Sequence, residues 1–324
     1  MSIRSRFELG TDCITWMLTE SSIAGSCLLF LFAVYVACPF IFYYCKRIRN
    51  AGLFANRLNL PHPWFYNLKD PSSFGVANAH NESLALDVGM INIWCIDSTT
   101  PKYKDGKKIV VLYSHGNSCN RAMSHRVGLY QRLSAMGLDV VTFDYRGFGD
   151  STGVLPDETT VVHDADVMLQ WVQERYCDHN IVVWGHSLGT GITVKLLSSL
   201  ESYPNNLQRL ILESPFLNSG EAGRHIPIAK IFDLLPCTKG VIGAALEGLF
   251  PTDKLIPKIT LPILILHAKD DKILPVHHSH LLMEECLKQK MDNVSLKIFD
   301  EGQHKFLFMN DNAMAAASEF IFGL

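Results

Sequence analysis

A Gly-x-Ser-x-Gly pentapeptide, Gly185-His186-Ser187-Leu188-Gly189, stands between the apolar run 181–184 and a helical pattern opened by Gly191 and Thr193. A strand that must turn at once into a helix leaves room only for small neighbours around the serine, and the bend lifts the Ser187 hydroxyl above the sheet. The helix that follows aims its first backbone N–H groups at any negative charge that develops there. By itself the pattern arises by chance in about one chain in ten of this length. Its place between strand and helix is what gives it weight.

The same alternation fills the chain from residue 108 onward. Strand candidates are 108–113, 139–143, 181–184, 209–212, 262–266 and 295–299, and helical periodicity lies near 121–136, 160–176, 188–202, 278–290 and 311–322. This rhythm predicts an α/β fold: a mostly parallel sheet, right-handed crossovers and helices on both faces. Residues 46–105 read as a connector and early strands, with Pro61, Pro63 and Pro71 breaking the pattern and 89–97 a strand candidate. The catalytic core is expected over 106–324.

A serine at such a turn needs a base, and the base an orienting acid, in the order serine, acid, histidine at the ends of successive strands. Run 262–266 leads into His267-Ala268-Lys269-Asp270-Asp271-Lys272-Ile273-Leu274-Pro275. The offset of Lys-Ile-Leu-Pro favours Asp271 as the acid, with Asp270 the alternative. Run 295–299 exits into Asp300-Glu301-Gly302-Gln303-His304, and His304 is the one histidine of 13 that follows the last strand with a glycine close before it. Run 108–113 ends in Ser114-His115-Gly116-Asn117-Ser118. The backbone N–H groups of Asn117 and Leu188 are the expected oxyanion donors, with Gly116 allowing the close approach. Acyl transfer of this kind needs no metal or organic cofactor. His277, His278 and His280 read as a loop entering a helix and not as a metal site.

Residues 23–45 carry no ionisable acid or base, long enough to cross a hydrocarbon core as a helix. Tyr35, Tyr43 and Tyr44 and then Lys46, Arg47 and Arg49 supply interfacial anchors. The prediction is an amino-terminal tail over 1–22 and one transmembrane helix. Basic residues on the carboxyl side mildly favour a cytosolic body, whereas the sequons at Asn81 and Asn293 serve only a lumenal one. The nine cysteines include no C-x-x-C pair. With 29 basic and 32 acidic residues the chain lacks the positive excess of a nucleic-acid binder, and its 48% hydrophobic share excludes disorder.

The blocks His115-Gly116-Asn117, Phe143-Asp144-Tyr145-Arg146-Gly147-Phe148-Gly149-Asp150-Ser151, Trp184-Gly185-His186-Ser187-Leu188-Gly189-Thr190-Gly191, Leu212-Glu213-Ser214-Pro215-Phe216 and Ile265 to Asp271 resemble the α/β-hydrolase family. Within it the chain is similar to the membrane-anchored branch of abhydrolase domain-containing protein twelve, lysophosphatidylserine lipases that also hydrolyse monoacylglycerols. The resemblance covers roughly residue 25 to the end. It implies a triad of Ser187, Asp271 and His304, a lipid-ester substrate, and an anchor in the endoplasmic reticulum membrane with the catalytic body in the lumen.

The stretch 216–259 exceeds an ordinary connection and mixes apolar runs with Arg224, His225, Lys230 and Lys239. A cap is expected there, its apolar faces receiving acyl chains and Arg224 and Lys230 meeting an anionic head group. Two other functions fit the same fold: a protein depalmitoylating thioesterase, and a non-catalytic membrane scaffold. Acyltransferases of this fold often carry H-x-x-x-x-D, which this sequence lacks.

Overall fold

Alternation along one strand, Lys107–Ser114, assigns the two faces of the sheet: Ile109, Val111 and Tyr113 enter one core, Val110 and Leu112 the other. The structure, a computed structural model, describes residues 3–323, with side chains from Ser22 onward except Pro227 and Ile228. In chain order the elements are α1 (Ile3–Tyr44), α2 (Lys46–Phe54), β1 (Ala79–Ala85), β2 (Met90–Ile96), β3 (Tyr103–Lys104), β4 (Lys107–Ser114), α3 (Ser124–Ala135), β5 (Asp139–Phe143), α4 (Glu158–Arg175), β6 (Asn180–His186), α5 (Leu188–Ser199) and β7 (Leu207–Glu213). Four short helices follow, α6 (Ser219–His225), α7 (Pro227–Phe232), α8 (Val241–Leu246) and α9 (Thr252–Leu255), and then β8 (Ile263–Ala268), α10 (His277–Lys288), β9 (Val294–Phe299) and α11 (Asp311–Phe322).

The sheet order is β1-β2-β5-β4-β6-β7-β8-β9, with β3 pairing β4. β4 through β9 pair in parallel, β5 included, whereas β1 and β2 join the edge antiparallel. The chain leaves β4 for β5 on one side and returns to β6 on the other. Such a reversal opens a crevice at the carboxyl ends of the central strands, where sheets of this class bind ligands. Val161, Ala165, Met168 and Val172 of α4 and Ile192 of α5 pack on one face; Tyr130 and Leu133 of α3 and Ala317 and Ile321 of α11 pack on the other.

Buried between β5 and the loop before α3, Arg121 ties the edge of the sheet together. Its guanidinium donates to Asp144 at 2.5 Å, to Asp150 at 2.6 Å, to the Leu68 carbonyl at 2.9 Å and to Asn81 at 3.0 Å. It lies 5.4 Å from the centre of the Trp94 ring. His115 closes on Asp144 from the other side at 3.3 Å.

Helix α1 begins well before the apolar run. The first two residues of the expected tail lie outside the described residues, and from Ile3 the backbone is already helical. Ser22–Tyr44 is long and apolar enough to cross a membrane, with Leu28, Phe30 and Phe32 largely exposed. Pro39 sits inside the helix. Within the expected connector, the basic cluster opens a second helix, α2, which buries Phe54 against the core.

Candidate active site

Ser187 occupies the turn between β6 and α5 with φ 53° and ψ −119°, a backbone region that a residue with a Cβ rarely adopts. Packing enforces it. A Cβ on Gly189 would collide with the carbonyl oxygen of Ser114, and one on Gly185 would lie 2.6 Å from the carbonyl oxygen of Gly189. The turn can therefore close only with glycine at both places. The Ser187 N–H donates to the Glu213 carbonyl at 3.0 Å, which docks the elbow on the neighbouring strand.

The structure brings Ser187, His304 and Asp271 into one line. His304 Nε2 accepts from Ser187 Oγ at 2.9 Å, and His304 Nδ1 donates to Asp271 Oδ2 at 2.7 Å. The backbone N–H groups of Ile273 and Leu274 donate to Asp271 Oδ1 at 2.8 and 2.9 Å. Burial alone would raise the Asp271 carboxyl, but hydrogen bonds from His267 and His304 outweigh it and hold it well below the ordinary carboxylate range. Asp270 stands elsewhere: its carboxylate accepts from the Gln303 N–H at 2.7 Å. Of the two adjacent aspartates, it is Asp271 that reaches the imidazole.

Two buried histidines given no role from sequence hold this line in place. The ring of His186 donates from Nε2 to the His304 carbonyl at 2.8 Å, and burial pushes its pKa down to about 3, which keeps it neutral. His267 donates from Nε2 to the Leu274 carbonyl at 2.8 Å, with Asp271 Oδ2 at 3.3 Å, and accepts from the Ser279 hydroxyl at 2.6 Å. Both belong to motifs visible in the chain, but their partners lie on other segments. Beneath the site, Glu213 is buried with its carboxylate accepting from the Trp184 indole at 2.9 Å, and burial pushes it up to about 7.

Ser187 opens into a largely apolar cavity lined by Leu53 of α2, Asn117, Leu188, Ala222 of α6, Ile226 and Leu246 of α8, among others. Gly116 lets the loop approach: its absent Cβ would stand 3.1 Å from the Ser187 Cβ. The Leu188 N–H opens α5 and has no intrahelical acceptor. The Asn117 N–H has no backbone acceptor among the described residues. Both residues border the space before the Ser187 hydroxyl.

Arg224 and Lys230 are not brought there. Helix α6 turns Ala222 and Gly223 toward the cavity, so the next residue along faces outward, and Arg224 pairs with Glu221 at 2.9 Å. Lys230 lies exposed beyond the buried Ala229. Of the three neighbouring histidines, His277 and His278 stack beside His225 of the cap, with ring centroids 4.4 to 5.2 Å apart, while His280 faces solvent. Burial pushes His278 down to about 3.

A family model described as serine aminopeptidase, S33, matches residues 105–242. Lysophosphatidylserine lipase ABHD12 of Danio rerio is 33% identical over 344 aligned residues, covering 97% of this chain and 87% of that protein. The Mus musculus protein of the same name is 35% identical, over 77% of this chain and 66% of its own length. Protein ABHD12B of Homo sapiens is 34% identical over 67% of this chain and 61% of its own. Among solved structures, an alpha-beta hydrolase from Vibrio vulnificus superposes with a TM-score of 0.67 at 18% identity, over 87% of this chain and 94% of that one. The Pyrococcus furiosus esterase Pf2001 gives 0.60 at 20% identity, over 78% and 93%. At these identities the two structures speak to the fold.

Proposed function

Because the chain belongs to the α/β-hydrolase family of the lysophosphatidylserine lipases ABHD12, we propose that it hydrolyses carboxylic esters of lipids, lysophosphatidylserine and monoacylglycerol first, through an acyl-enzyme on Ser187. The observation that carries this reading is the Ser187–His304–Asp271 relay at the floor of an apolar cavity. His304 takes the Ser187 proton as the oxygen attacks the ester carbonyl, then gives it to the departing alcohol. The Asn117 and Leu188 N–H groups receive the oxyanion, each such donor contributing about 10²–10³-fold in rate. Asp271 fixes the imidazole with Nδ1 protonated and stabilises the imidazolium. Water then repeats the cycle on the acyl-enzyme.

Purified protein in vesicles should release fatty acid from lysophosphatidylserine and from monoacylglycerol. A preparation that labels with a fluorophosphonate but cleaves only a palmitoyl-cysteine peptide would replace this reading with the thioesterase.

The same reading places the anchor in the endoplasmic reticulum membrane with the hydrolase body in the lumen, as the family resemblance implies. Glycosylation is a poor test of that. Asn293 Nδ2 donates to the Ile259 and Leu261 carbonyls at 3.1 and 2.7 Å, and Asn81, within β1, bridges Arg121 and the Glu82 carbonyl. A glycan on Asn293 would take one of the two Nδ2 hydrogens that these bonds use. Protease protection is the direct measurement: in sealed microsomes the body should resist added protease until detergent is supplied, and digestion without detergent would reverse the orientation.

A further inference from the structure

The cap does not stand clear of the anchor. Tyr35 of α1 donates from its hydroxyl to the Ile231 carbonyl at 2.5 Å, and its ring stacks on Phe232 at 5.4 Å between centroids. Helices α7 and α8 both pack along α1, in which Gly25, Tyr35, Val36, Cys38, Pro39 and Phe42 are partly or fully covered, Phe42 lying against Gly52 of α2. These contacts lie inside the apolar stretch, not at its end.

Depth follows from helix geometry. Tyr35 precedes Tyr44 by nine residues, about 13 Å along an α-helix. Glu20 and Lys46 bracket residues 21–45, and a hydrocarbon core takes about 20 helical residues. Even with the core shifted fully toward Glu20, to residues 21–40, Tyr35 still lies roughly 7 Å inside the boundary. Whatever touches Tyr35 is below the lipid surface too.

The touching segment has the chemistry for that place. Ile231 and Leu234 are 53% and 77% exposed, large apolar side chains turned to the outside of the cap. The turn between α7 and α8 pairs several of its polar groups internally: the buried Thr238 hydroxyl donates to the Phe232 and Leu235 carbonyls, and Asp233 accepts from the Gly240 N–H at 2.8 Å. Internal pairing is what an interface poor in water demands. Lys230 and Lys239 flank the turn, and such side chains can extend to the phosphate level from a shallow position.

We propose that the α7–α8 edge of the cap is embedded in the same lipid leaflet as the end of α1, so that the catalytic cavity, walled by α2, α6 and α8, takes its acyl chain sideways from that leaflet. The partner is the bilayer itself. The proposal rests on the lipid-ester reading only for the identity of what enters; the depth of the cap stands on the contacts with α1.

The test places a fluorescent amino acid, by codon suppression, at Leu29, Leu234 or Tyr103 of the full chain in phosphatidylcholine vesicles containing a lipid with a quencher on its acyl chain. Tyr103 lies at the opposite end of the sheet from the elbow. Fluorescence at Leu29 and Leu234 should be quenched and that at Tyr103 spared. Quenching at Leu29 with Leu234 as bright as Tyr103 would overturn the embedded cap and leave the anchor; brightness at Leu29 would overturn both. In parallel, Ile231→Asp/Leu234→Asp should lower turnover of a bilayer-borne ester about tenfold while a short water-soluble ester is cleaved as before. Unchanged bilayer turnover, or equal loss on both esters, counts against the proposal. Quenching at Leu234 without any lipid hydrolysis would retire the functional reading and keep the depth.

Discussion

Ser187→Ala should abolish fluorophosphonate labelling and lower ester turnover by about 10⁶-fold, because the relay acts as a unit and loses nearly everything with its nucleophile. Asp271→Asn should cost about 10⁴-fold: the imidazole then meets an amide and loses the partner that fixes its tautomer. Asp270→Asn, one residue away, should leave turnover within a few-fold, since that carboxylate only receives the Gln303 N–H. The stability readout separates lost chemistry from lost fold. Ser187 sits at φ 53°, so Ser187→Gly should be as inactive as alanine yet raise stability by about 1 kcal/mol as the backbone strain is relieved. A scaffold with no catalytic role would show no labelling in the parent chain, and equal effects of Asp270→Asn and Asp271→Asn would remove Asp271 from the relay.

The second large effect lies away from the chemistry. Arg121→Ala strands Asp144, a fully buried carboxylate, and should destabilise the protein by about 3–5 kcal/mol, a large part of the total for an ordinary domain. Its pH dependence has a definite sign. Burial alone would raise Asp144, but Arg121 and the hydrogen bond with His115 outweigh it and hold the carboxyl below its ordinary value. A depressed folded pKa contributes stability that is present above the unfolded value, near 3.9, and is lost as pH falls through the folded one. In Arg121→Ala the stranded carboxyl can be protonated before it is exposed, so the gap between variant and parent should narrow as pH is lowered. Denaturation midpoints at pH 7.5 and 5 measure this. A cost under about 1 kcal/mol, or a gap that widens toward acid, would mean that the ion pair does not hold this edge.

Much of this architecture is legible in the chain because its signals are local. The elbow announces itself through small residues between a β-branched run and a helical one, and the six strand candidates from residue 108 onward fall on β4 to β9 within a few residues at each end. β1 does not announce itself: Ala-His-Asn-Glu-Ser-Leu-Ala is polar, and it is a strand because β2 offers it a paired edge. α1 extends upstream of the apolar run because a helix can continue through polar residues that a hydropathy window rejects. For the adjacent aspartates the chain itself offers only the Lys-Ile-Leu-Pro offset, which favours Asp271 and leaves Asp270 as the alternative. The choice is made by the Ile273 and Leu274 N–H groups folding back onto Asp271, and by an imidazole 33 residues away. His186 is hidden for a related reason, since its partner, the His304 carbonyl, is 118 residues distant. The inward face of α6 is likewise a tertiary outcome, and it leaves Arg224 outside the cavity.

Helix α1 also decides what concentration means for this protein. A hydrolase tied to the sheet that dissolves its substrate meets it in two dimensions, by diffusion within a leaflet. The rate then follows the mole fraction of ester among its neighbours and is indifferent to how many millilitres surround the vesicle. Dispersing the same lipids in more buffer changes nothing, whereas thinning them with an inert lipid does. For such an enzyme the composition of the membrane is itself the substrate level.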